Sequence, residues 1–114
     1  MKPEGIILWH QDGMMSFKAF DVFVRKGKIR KYKKRFGWLY QVDCLFSKIF
    51  QEVFKSYKYI GSEDDLHTFP IDLRVPKKFK VITLTQWYPR DEKKARPLIK
   101  KDLIKAFEDV VDEK

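Results

Sequence analysis

Residues 16–25, SFKAFDVFVR, constrain this chain more than any other stretch. Read as extended backbone, Phe20, Val22 and Val24 alternate along one face, and Phe17, Ala19 and Phe23 occupy most of the other. Strand side chains point alternately to opposite sides. A strand that is apolar on both sides belongs inside a sheet with a layer packed on each face. Ahead of it, Gly5–Trp9 reads as a strand and Gln11-Asp12-Gly13 as a turn, so the chain opens as a hairpin.

The helical layer is legible at residues 41–59. Val42, Leu45, Phe46, Ile49, Phe50, Val53, Phe54 and Tyr57 recur at spacings of three and four, and Asp43, Ser47, Lys48, Gln51, Glu52, Lys55 and Lys58 fill the opposite side. Gly61 is the expected stop, with Ser62-Glu63-Asp64-Asp65 capping a turn. Phe69, Ile71, Leu73 and Val75 then alternate with polar residues as a strand that Pro70 places at an edge. After the turn Pro76-Lys77-Lys78, residues 79–88 (FKVITLTQWY) read as another strand. A charged loop at 89–96 leads to Pro97, expected at the first position of a last helix with Ile99, Leu103, Ala106, Phe107 and Val110 as its stripe. The acidic end of that helix opposes its dipole and should fray.

These elements predict one α+β domain over residues 1–114: a mainly antiparallel sheet of about four to five strands with two amphipathic helices, in the order β-β-(β)-α-β-β-α. The bracketed strand is residues 28–36. There Lys26-Gly27 offers a tight turn, and the return strand would project as a basic hairpin or arm at about 24–36. The competing reading is a helix, because Ile29, Tyr32, Phe36 and Tyr40 lie at i, i+3, i+7 and i+11.

Charge is concentrated in that arm. Eight of the eleven residues Arg25–Arg35 are basic and none is acidic; of the chain's 25 basic residues this leaves 17 against 16 acidic ones elsewhere. The net charge of +9 is therefore largely local. Local charge of this density speaks to partners rather than to fold. Arg25, Lys26, Lys28, Arg30, Lys31, Lys33, Lys34 and Arg35 are the candidate phosphate contacts, with Tyr32 and Phe36 stacking on bases or buttressing the arm. Lys77 and Lys78 in one turn, and Arg90, Lys93 and Lys94 in the later loop, would extend the footprint if they share its face.

The expected function is a small, non-catalytic nucleic-acid-binding protein. The alternative is a regulator that docks on an acidic surface of a larger protein machine. The aromatic, lysine-rich composition is similar to that of accessory proteins of phages and viruses, with no motif behind the likeness. Pro70-Ile71-Asp72 and Glu92-Lys93-Lys94 faintly resemble the metal motif of PD-(D/E)xK nucleases, but the acid and lysine stand in a proline-bracketed loop. His10 and His67 match no metal-site spacing, and the lone Cys44 reads as a structural thiol. Trp9 and Met14-Met15 read as core fillers or an apolar patch. No cofactor, metal or membrane partner is expected. With one cysteine, no secretory signal and no apolar run long enough to span a bilayer, a cytoplasmic setting is expected.

Overall fold

The two-sided strand takes the interior position that its sequence requires. The computed structural model describes residues 2–11, 18–37, 39–41, 44–64, 75–84 and 88–111. Its sheet contains β1 (Gly5–Gln11), β2 (Lys18–Arg25), β3 (Tyr57–Asp64) and β4 (Phe79–Leu84), in the spatial order β3-β2-β1-β4. β1 pairs antiparallel with β2 (Ile7 opposite Val22), and β2 antiparallel with β3. β1 also pairs parallel with β4, with Gly5 opposite Phe79 and His10 opposite Leu84. The class is therefore α+β with a mixed sheet.

Each face of the sheet has its own cover. On one, Ile6, Leu8, Phe23, Ile82 and Leu84 pack under α2 (Leu45–Val53) and α3 (Glu92–Val111), which contribute Phe46, Ile49, Phe50, Ala95, Ile99, Leu103 and Phe107. Aromatic rings join these layers: Phe23 stacks on Phe50 with centroids 3.9 Å apart, and Phe54 on Phe107 at 4.1 Å. On the other, Ile7, Phe20, Val22, Val24 and Phe79 are covered by Tyr32, Phe36 and Leu39. Trp9, half-buried, stacks on Phe20 at 5.9 Å and joins this second cluster.

The cover on that second face is the basic segment itself, and the expected hairpin is not formed. Lys26–Lys28 make a 3-10 turn and Ile29–Tyr32 a single α-helical turn, α1. Hydrogen bonds from Lys33 N to Ile29 O and from Phe36 N to Tyr32 O carry the coil onward. A return strand would have had no apolar face. The helical spacing of Ile29, Tyr32 and Phe36 turns all three toward the sheet and leaves lysine and arginine outside.

Three other boundaries differ from expectation. The helix predicted over 41–59 ends at Val53, and Tyr57 begins β3. The Gln51 side chain makes this change of structure: its Nε2 donates to Tyr57 O at 2.6 Å and its Oε1 accepts from Tyr59 N at 2.8 Å, as a neighbouring strand would. Gly61 is no helix stop. It lies in β3 beside a bulge, at φ +151°, where a Cβ would come within 2.6 Å of Leu39. Ser62 and Glu63, expected in a capping turn, are strand residues. Finally, α3 begins at Glu92 rather than Pro97, because Asp91 caps it: Asp91 Oδ1 accepts from Lys93 N at 3.0 Å and Asp91 O from Ala95 N at 2.9 Å. Pro97 lies inside the helix. The strand expected at 69–75 falls, up to Arg74, outside the described residues, as do Met14 and Met15. No helix among the described residues is long and apolar enough to cross a membrane.

Candidate functional site

Folding the basic segment onto the sheet produces a surface that the linear sequence does not show. Glu4 precedes β1, and its backbone is tied to both neighbours: Glu4 N donates to Lys78 O, and Arg25 N donates to Glu4 O, each at 2.9 Å. Its carboxylate accepts from the Tyr32 hydroxyl at 2.5 Å and from Lys31 Nζ at 3.2 Å. Lys28 Nζ lies at 3.6 Å and Lys78 Nζ at 3.7 Å. One nearly buried acid thus gathers lysines from the 25–35 segment and from the turn before β4. The Tyr32 hydrogen bond, set against burial and aided by Lys31 and Lys28, holds the Glu4 carboxyl down at about 2. Each exposed lysine pair adds little stability by itself. Their importance lies in position, because they fix two basic stretches on one end of the sheet.

The predicted contact residues divide accordingly. Lys26, Arg30, Lys31, Lys33, Lys34 and Arg35 are exposed, as are Lys77 and Lys78; Arg25 and Lys28 are half-buried. Tyr32 and Phe36 are 6% and 4% exposed, with rings against Phe79 at 4.8 and 5.5 Å. They buttress the surface, and their faces are closed to base stacking. Arg90, Lys93 and Lys94 are exposed but stand elsewhere. They follow the far end of β4, about 17 Å from its start by strand rise, where α3 begins on the opposite side of the sheet. Glu92, the acid of the nuclease-like pattern, opens α3 and pairs with Arg96 at 3.4 Å; it does not stand on a buried strand, and Asp72 is outside the described residues.

A second constellation has no counterpart in the sequence pattern. His10 of β1, Asp21 of β2 and Cys44, the residue before α2, converge on the helix-covered face. His10 Nε2 is 2.9 Å from Asp21 Oδ2, and Cys44 Sγ is 3.5 Å from the same oxygen and 4.0 Å from His10 Nε2. Asp21 is fully buried, His10 nearly so, and Cys44 half-buried. The other Asp21 oxygen accepts from Ser62 Oγ at 2.6 Å, and Ser62 Oγ is 2.5 Å from the Tyr59 hydroxyl. Burial opposes a charged His10 ring, but the hydrogen bond to Asp21 and the neighbouring Cys44 outweigh it and raise the ring to about 9. Phe46 stacks over the imidazole at 4.2 Å, and Nδ1 has no hydrogen-bond partner among the described residues. This is not a nucleophilic triad. There the carboxylate and the nucleophile engage opposite imidazole nitrogens, whereas here both approach Nε2. The three residues share no sequence spacing; only the β1–β2 register and the start of α2 bring them together. No family of known proteins, no curated protein and no solved structure matches the chain.

Proposed function

We propose that this protein holds the phosphate backbone of a nucleic acid on the basic surface formed by residues 26–35 and the Lys77-Lys78 turn, without catalysis. The observation that carries this reading is the Glu4 cluster, because it joins Lys28 and Lys31 to Lys78 across the sequence. Lysine and arginine on a firm support suit backbone contact, where each phosphate neutralised releases condensed counterions. The burial of Tyr32 and Phe36 favours contact with backbone over stacking on separated bases. A cytoplasmic setting accords with this role.

The same burial favours one second reading. A charged surface whose aromatics Tyr32 and Phe36 are buried also suits an acidic face of a protein partner, such as that of a larger machine regulated by an accessory protein, with charge steering the encounter. Fluorescence anisotropy of labelled duplex DNA, single-stranded DNA and RNA at several salt concentrations separates the two. Nucleic-acid binding predicts affinity that falls about 10³-fold between 50 and 200 mM salt when six phosphates are neutralised, with a slope that flattens by about 0.9 for each phosphate left without its cation. Arg30, Lys31, Lys34 and Lys78 changed together to Gln should flatten it. Arg90, Lys93 and Lys94 changed to Gln should leave it nearly unchanged. Binding no tighter than about 10⁻⁴ M at physiological salt would rule the nucleic-acid reading out and leave the acidic protein partner.

A further inference from the structure

We propose that His10, Asp21 and Cys44 bind a divalent metal ion of the zinc class through one nitrogen, one oxygen and one sulfur donor. This site is independent of the basic surface.

Geometry comes first. Donor separations of 2.9, 3.5 and 4.0 Å enclose a point about 2 Å from all three atoms, against zinc bond lengths of about 2.0–2.2 Å to nitrogen and oxygen and about 2.3 Å to sulfur. The shortest edge is the one the His10–Asp21 hydrogen bond spans. An ion replaces the proton of that bond, and a tetrahedral arrangement opens the edge by a few tenths of an ångström.

The donor set selects the ion. Thiolate and imidazole are borderline-soft ligands that suit zinc and its neighbours; magnesium and calcium take sets built from oxygen. Charge agrees as well. One thiolate and one carboxylate neutralise a divalent cation, so the occupied site is neutral, as a largely buried position requires. Binding releases the thiol proton and any proton on Nε2 to solvent.

The surroundings are organised for a ligand role. Ser62 holds one Asp21 oxygen at 2.6 Å and is itself held by Tyr59, which leaves Oδ2 directed at His10 and Cys44. Outer contacts of this kind orient metal-binding carboxylates. Three protein donors leave a fourth position for water or for a group from a partner.

Titration of the untagged protein with Co²⁺, a coloured substitute for Zn²⁺, tests this. The chain has a single cysteine, so a thiolate-to-cobalt charge-transfer band reports Cys44 alone. The expected result is a band that saturates at one ion per chain and is bleached by Zn²⁺. Cys44→Ser should lack it, Asp21→Asn should weaken it strongly, and His67→Gln should keep it. Ser62→Ala should weaken affinity by about 10–100-fold. Because Cys44 is only half-buried, Cys44→Ser should fold, as circular dichroism would verify; Zn²⁺ should raise the melting temperature of the parent protein and not of this variant. Absence of the band at millimolar Co²⁺, or a zinc-dependent melting shift that persists in Cys44→Ser, would overturn the proposal.

Discussion

Tyr32 donates its phenolic proton to Glu4 Oε1 at 2.5 Å, closing a contact between residues 28 apart in the chain. The bond pins α1, the α-helical turn of the basic segment, to the end of the sheet. It also gives a run of like charges a fixed shape, which its own backbone could not supply: a four-residue helix is far too short to be stable alone.

Phe36 should behave as a core residue. Its ring lies 5.5 Å from that of Phe79 and 6.4 Å from that of Tyr32. Phe36→Ala should cost about 3–5 kcal/mol in urea unfolding, whereas Lys34→Ala, on the exposed side of the same segment, should stay within about 0.5 kcal/mol. A Phe36→Ala protein of unchanged stability that binds nucleic acid more weakly would mark the ring as a contact residue instead.

Glu4 should make stability depend on pH in the acid range. Its folded-state carboxyl titrates at about 2 rather than the ordinary 4.5, because the Tyr32 hydroxyl bonds to its charged form. A carboxyl held below its unfolded value stabilises fully above that value, and the contribution is lost as pH falls toward the folded one. The urea midpoint of the parent protein should therefore drop more steeply between pH 4.5 and 2 than that of Glu4→Gln. Parallel profiles for the two proteins would show that the carboxylate is not held by Tyr32.

The start of α3 offers a pair of opposed effects. Asp91→Ala removes the side chain that accepts from Lys93 N, and should cost about 0.5–2 kcal/mol. Pro97, exposed in the helix interior, has no N–H for the Lys93 carbonyl. Proline disfavours a helix interior by about 3 kcal/mol relative to alanine, offset by the freedom it removes from the unfolded chain. Pro97→Ala should raise stability by about 1–2 kcal/mol. Chemical denaturation of both variants checks the signs.

Local pattern reported faces well and ends poorly. The apolar face Phe20, Val22 and Val24 of β2, with Phe23 buried on its other side, and the stripe Phe46, Ile49, Phe50 follow from side-chain periodicity, and these are realised. Tyr57 misled because it suits either structure: it continues the helical stripe and equally begins a strand. What decides is the Gln51 amide, a side-chain contact that no periodicity encodes. At residues 29–36 the helical spacing was legible, but a single turn carries little weight until Phe79 provides the surface it packs on. Asp91 was a readable cap, hidden by the stronger local signal of Pro97. The basic residues were evident in the sequence; the sharing of Glu4 by Lys28, Lys31 and Lys78 was not. Nor was the meeting of His10, Asp21 and Cys44, which depends on strand register and on where α2 begins.

The parallel pairing of β1 with β4 sets an order of assembly. β1 and β2 adjoin in sequence, and β3 follows after α1 and α2, whereas Gly5 meets Phe79 only by closing most of the chain into a loop. Such a closure costs entropy before the pairing it permits can stabilise anything, so it belongs late in folding. His10, Asp21 and Cys44 come from the part that assembles early, and Lys78 reaches Glu4 only after β4 has docked. The continuous basic surface is thus a property of the finished chain alone, and a partner that requires it would discriminate folded protein from any partly assembled form.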